Sequence, residues 1–254
     1  MQIKGLSEIA SRFDGMLIDQ FGVIHDGEKL YPGTLGVLEN LHRLKIPVVV
    51  MTNSGKRSLA NRERLLSIGV PRNLFINAIS SGEVAYHMLG RKKAFLIGKT
   101  GEDYGFDNVP FVKDMARAEV ILILGSDAPN TSMAQYRKFF SDTSLPAICC
   151  NPDKLMLTKQ GLLPAPGAIA ALYEEMGGEV QWIGKPFAEI YTHALKIIGN
   201  PRNALCIGDS AEHDVAGGRG VGLATLQVMT GVSAGLNPAT LHPQADYFAD
   251  AFVW

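Results

Sequence analysis

GMLIDQFGVIHDG, residues 15–27, decides how the rest of this chain is read. Three consecutive apolar residues, Met16, Leu17 and Ile18, run into an acid, Asp19, and a turn containing Gly22 follows. A short run that is apolar at successive rather than alternate positions suits a parallel strand buried on both faces. In an open sheet of such strands, ligands bind beyond the carboxyl ends, where Asp19 would stand.

Similar runs recur outward from this one: IPVVVMT at 46–52, AFLIG at 94–98, EVILILG at 119–125 and ALCIG at 204–208. Helical signals lie between them. Leu35, Leu38, Leu41 and Leu44 repeat every third residue ahead of Pro47, and Ser58–Ile68 ends before Gly69. Pro166–Met176 and Phe187–Ile198 are closed by Gly177 and Gly199, the expected stop residue. Alternating strands and helices predict an α/β fold with a doubly wound parallel sheet. Residues 83–178 carry an alternation of their own. We therefore expect an inserted domain there, between the core segments 1–82 and 179–254; the alternative is one continuous sheet.

Composition narrows the function classes. The chain has 254 residues, 46% hydrophobic and 19% charged, with a formal net charge of −1. That balance gives no electrostatic reason to expect nucleic acid or an anionic membrane as partner. No run of about 18 apolar residues suggests a membrane span, and the N-terminal stretch lacks the apolar centre of a signal peptide. Cys149, Cys150 and Cys206 form neither a disulfide framework nor a spaced metal quartet, and PAICC reads as a buried strand. A reducing, cytoplasmic setting is the expectation.

Four strand ends carry polar residues whose chemistry is complementary. Asp19 ends the first, and Thr52, Asn53 and Ser54 follow the second. Lys185 precedes a proline suited to the first turn of a helix. Asp209 and Asp214 flank the turn after ALCIG. Singly these are caps, turn residues and solvated charges. Together they supply what phosphoryl transfer needs. Two carboxylates, Asp19 and Asp209, can hold Mg²⁺, and Asp19 can serve as a covalent nucleophile. Thr52 and nearby N–H groups can bind phosphoryl oxygens, while Lys185 sets a fixed positive charge against the transferring group.

The order DxxG, hhhTN, GKP and GDxxxxD resembles the haloacid dehalogenase-like (HAD) hydrolase superfamily. The placing of the insert resembles its class IIA, NagD-like branch, as do NPD (151–153), LPAPGAI (163–169) and DVAGGRGVGLATLQVMTG (214–231). The resemblance implies a Rossmannoid parallel-sheet core with an inserted α/β C2 cap. It implies Asp19 as nucleophile and metal ligand, and Thr52 and Asn53 as phosphate-binding residues. Lys185 would neutralise charge, Asp209 and Asp214 would complete the Mg²⁺ site, and the cap loop through Asn151 and Asp153 would approach substrate. A small phosphorylated metabolite is the expected partner, and the sequence leaves homodimerisation open.

One position departs from the pattern. In the superfamily's phosphatases an acid/base Asp follows the nucleophile by two, and here that position is Phe21. Its backbone carbonyl can still ligate Mg²⁺, but a phenyl ring cannot supply acid–base help, typically worth about 10²–10⁴-fold. Three readings follow. In the first, the enzyme is a phosphatase with a relocated acid, for which His25 and Asp26 are candidates against a plain turn role. In the second, it hydrolyses another bond, a reading opposed by the retained Asp209 and Asp214. In the third, it is a phosphate- and metal-binding protein with little turnover. The first ranks highest. GKT at 98–100 lacks the first glycine of a P-loop, since residue 93 is Lys93.

Overall fold

The structure, a computed structural model, describes residues 1–158 and 161–254, with Leu157 through its backbone only. Along the chain come β1 (Gly15–Asp19), α1 (Thr34–Arg43), β2 (Val48–Thr52), α2 (Ser58–Ser67), β3 (Asn77–Ser80) and α3 (Ser81–Leu89). Then follow β4 (Ala94–Ile97), β5 (Val120–Ile123), α4 (Met133–Phe140), β6 (Ala147–Cys149), β7 (Leu155–Thr158), β8 (Gly161–Pro164) and α5 (Pro166–Glu175). The last elements are β9 (Val180–Trp182), α6 (Ala188–Ile197), β10 (Ala204–Gly208), α7 (Ala216–Gly220), β11 (Ala224–Val228) and β12 (Tyr247–Ala249).

The chain divides into two compact units. The first comprises Met1–Thr52, Ser58–Ile79 and Lys185–Trp254, and the second comprises Asn53–Arg57 and Ser80–Gly184. In the first, a six-stranded sheet runs β12-β11-β10-β1-β2-β3. The pairings β1 with β2, β1 with β10, β10 with β11 and β11 with β12 are all parallel. All five residues of β1 and of β10 are buried, as a strand covered on both faces requires. Fully burying one Val, Leu or Ile contributes about 1.5–3 kcal/mol. Strand order places the site: β1, β2 and β3 step outward on one side, while β10, β11 and β12 step outward on the other. The reversal falls between β1 and β10, the crevice where an open α/β sheet binds ligands.

The second unit has its own parallel sheet, β4-β5-β6-β9, and a separate antiparallel hairpin of β7 and β8. Ile121, Ile123, Cys149, Ile169 and Tyr173 are among its buried core residues. α4 opens on a capping box between Ser132 and Gln135, and α5 has Pro166 in its first turn, where no N–H is needed. The GKT loop commits its amides internally, with Lys99 N–H on the Tyr104 oxygen and Thr100 N–H on Asp127 Oδ1, both at 2.9 Å.

Two local expectations are corrected. Pro186 lies before α6 rather than in its first turn: the helix starts at Ala188, and Phe187 is still extended. On α1 the buried face is Thr34, Val37, Leu38 and Leu41, while Leu44 is 50% exposed. A spacing of three drifts off one face of a helix that turns every 3.6 residues. No helix among the described residues is long and apolar enough to cross a membrane.

Candidate active site

Strand register assembles the site. Asp19 pairs with Met51, one residue before Thr52, and Ile18 pairs with Ile207, two residues before Asp209. Neighbouring parallel strands thus deliver their polar ends to one edge. Lys185 opens the last segment of the same unit. Its ammonium is 2.6 Å from Asp19 Oδ1 and 2.7 Å from Asp214 Oδ1.

Asp214 reaches the cluster through a π-helical turn, Ala211–Val215. The Val215 N–H bonds back to the Ser210 carbonyl at 3.2 Å, five residues earlier, and this wider turn swings Asp214 toward its own strand end. The Ser210 N–H then donates to Asp214 Oδ2 at 3.1 Å. The Tyr191 hydroxyl secures the turn by donating to the His213 carbonyl at 2.9 Å. Neither the turn nor Tyr191 was legible in the sequence, because a π-turn has no side-chain spacing of its own.

Asp19, Lys185, Asp209 and Asp214 are all buried. Burial pushes the Asp19 carboxyl well above its usual range, Lys185 pulls it down, and Asp214 and Asp209 push it up again. Asp209 is raised to about 6, first by burial and then by Asp214. Burial works against charge on Lys185 too, yet Asp19 and Asp214 together outweigh it and hold the amine protonated.

These residues fit a hard divalent cation. Asp19, Asp209 and Asp214 each offer a carboxylate oxygen, all within 4.8 Å of one another. Oxygen donors are what Mg²⁺ takes. Three buried carboxylates face one ammonium; burial first, and the neighbouring carboxylates after it, raise Asp19 and Asp209.

The remaining expected residues fall as follows. Thr52 ends β2, half-buried, and Asn53 is the first residue of the second unit. Asn151 and Asp153 also belong to the second unit, in a turn where Asn151 Oδ1 accepts the Asp153 N–H at 2.9 Å. Phe21 is 51% exposed, its ring edge-on to His25 at 4.9 Å, with the Arg64 guanidinium 5.7 Å from the ring centre.

His25 and Asp26 both serve the turn. Asp26 is exposed, and its Oδ1 accepts the Glu28 and Lys29 N–H groups at 2.9 Å. His25 is fully buried, and its Nδ1 accepts the Gly27 N–H at 2.9 Å. Nε2 therefore carries the proton and faces the Gln20 side-chain amide at 3.1 Å. Gln20 Oε1 is buried without a partner, so turning that amide over puts an acceptor against Nε2–H. Burial, with Arg64 nearby, lowers His25 to about 4. A neutral, doubly engaged imidazole is a brace for this turn rather than a proton donor.

Comparison with known proteins gives the same direction. Residues 16–112 match the family described as haloacid dehalogenase-like hydrolase, and residues 182–253 match the HAD-hydrolase-like family. A dihydroxyacetone phosphatase of Corynebacterium glutamicum (strain R) is 26% identical over 85% of this chain and 81% of its own. The ribonucleotide monophosphatase NagD of Escherichia coli (strain K12) is 25% identical, over 86% of this chain and 88% of its own. The crystal structure of a haloacid dehalogenase-like hydrolase from Brucella suis 1330 superposes with a TM-score of 0.85 at 26% identity. That superposition covers 99% of this chain and 100% of the other.

Proposed function

This chain belongs to the haloacid dehalogenase-like hydrolases, in their NagD-like branch, and we propose that it is a Mg²⁺-dependent phosphatase of small phosphorylated metabolites. The observation that carries the reading is the buried group of three carboxylates with Lys185 bridging Asp19 and Asp214. The similarity to phosphatases of dihydroxyacetone phosphate and of ribonucleotides supports it.

Asp19, Asp209, Asp214 and the Phe21 carbonyl would hold the cation. When bound, it supplies positive charge against the phosphoryl oxygens and keeps Asp19 ionised. The chain's own groups do the rest. One Asp19 oxygen attacks phosphorus, the bond from phosphorus to the leaving oxygen breaks, and that oxygen departs with the electron pair. Lys185 stays protonated and offsets charge on Asp19 and the transferring group. Thr52 binds phosphoryl oxygens. Water then attacks the aspartyl-phosphate at phosphorus, releasing phosphate and restoring Asp19. Phe21 donates no proton to the departing oxygen and accepts none from the water, so both steps run without side-chain acid–base help from that position.

The test is phosphate release from p-nitrophenyl phosphate. Release that requires Mg²⁺ and is abolished in Asp19→Asn supports the reading. No release, with cation binding shown separately, would favour a phosphate- and metal-binding protein.

A further inference from the structure

Asp209 is gripped from a side that the proposed chemistry does not use. The loop after β11 supplies the grip: Val232 N–H donates to Asp209 Oδ2 at 2.7 Å, and the Ser233 hydroxyl donates to the Asp209 carbonyl at 2.5 Å. Gln227, on β11 itself, sends Nε2 to Ser233 Oγ at 2.9 Å and toward the Asp209 carbonyl at 3.4 Å. The Thr230 hydroxyl ties this loop to the turn after β1, donating to the Gly22 carbonyl at 2.5 Å. Gly22 and Gly231 flank Oδ2, and a Cβ on either would overlap that oxygen.

Gln227 and Ser233 are 3% and 1% exposed. Burying two polar side chains costs free energy unless their bonds are made, and an apolar pair would fill the same space without that cost. What the pair does instead is fix the backbone of one carboxylate residue. We propose that Gln227 and Ser233 are positioning residues for cation binding: they hold Asp209 so that Oδ2 stays on Val232 N–H and Oδ1 is presented to the cation. This rests on the reading above that the site takes a divalent cation. Partners that orient a metal ligand change affinity by about 10–100-fold when removed.

Direct Mn²⁺ titration followed by electron paramagnetic resonance tests it on the intact protein, comparing Ser233→Ala and Gln227→Met with the native chain. Thr225→Val is the control on the same strand, since the Thr225 hydroxyl bonds Asp246 instead. The Mn²⁺ dissociation constant should rise about 10-fold or more in both variants and stay within about twofold in the control. Half-saturating Mg²⁺ for p-nitrophenyl phosphate hydrolysis should rise in parallel, with kcat at saturating Mg²⁺ largely kept. Should Ser233→Ala fail to fold, Gln227→Met decides. Folded variants that bind Mn²⁺ like the native protein overturn the inference alone. A native protein that binds no Mn²⁺ overturns the cation reading as well.

Discussion

Asp209 has a folded carboxyl value of about 6, above the ordinary value near 3.9 that it would have in an unfolded chain. In cation-free protein its stabilising contribution is therefore complete at low pH and lost as pH rises through about 6. Asp19 is shifted in the same direction. A cation favours the ionised forms and reverses that loss. The rise in Tm on replacing EDTA with Mg²⁺ should thus grow between about pH 4.5 and pH 7. An increment that is flat or shrinks over that range would show that these carboxyls do not bind the cation. Phe21 yields a second prediction at this scale. Without an acid at that position, aryl phosphates, whose leaving groups need little protonation, should react better than alkyl phosphates. Phe21→Asp should raise kcat/KM for glycerol phosphate about 10²-fold or more and narrow the gap. Equal native turnover of an alkyl and an aryl phosphate would instead require an acid elsewhere.

Secondary-structure elements explain what could be read in advance and what could not. On α1, Leu38 is fully buried, and Leu38→Ala should cost about 2–5 kcal/mol in urea unfolding, whereas Leu44→Ala, at the exposed end, should cost much less. The strands β1, β2, β4, β5 and β10 were legible because strands buried on both faces write themselves as unbroken apolar runs. β9 and β12 are short and only partly buried, so they leave no such run, whereas the equally short β6 is buried throughout and reads as PAICC. β7 and β8 carry only brief apolar runs, LML and LL, and form a hairpin with Leu155 and Leu162 exposed. Polar residues after the apolar runs of β1, β2 and β10 marked the candidate site, since an acid or Thr there stands out, whereas Lys185 follows β9, a strand of the other sheet. The loop at 229–233 did not stand out: its contacts to Asp209 are made largely by main-chain N–H and by ordinary Gln and Ser side chains. For His25 and Asp26 the sequence offered a plain turn role beside an acid/base one, and the hydrogen bonds inside the turn are invisible until the backbone is placed.

Across the whole molecule, topology and charge do complementary work. The outward stepping of strands from both sides of the β1–β10 boundary makes one crevice, and three buried carboxylates and Lys185 gather at it. With a net charge of −1, the chain has no broad basic field to recruit polyanions. It should give no shift of duplex DNA in gel electrophoresis at physiological salt, and salt-sensitive retardation would contradict that. The central claim is that Asp19 attacks phosphorus and carries the phosphoryl group. With p-nitrophenyl phosphate the first step needs no acid, while hydrolysis of the aspartyl-phosphate lacks a base at Phe21, so the phosphoenzyme should accumulate. Rapid mixing of the Mg²⁺-loaded protein with excess p-nitrophenyl phosphate measures this directly. The account predicts a burst of about one p-nitrophenolate per active site, followed by slower steady release, both lost in Asp19→Asn. Linear release with no burst, or release that survives Asp19→Asn, would contradict it.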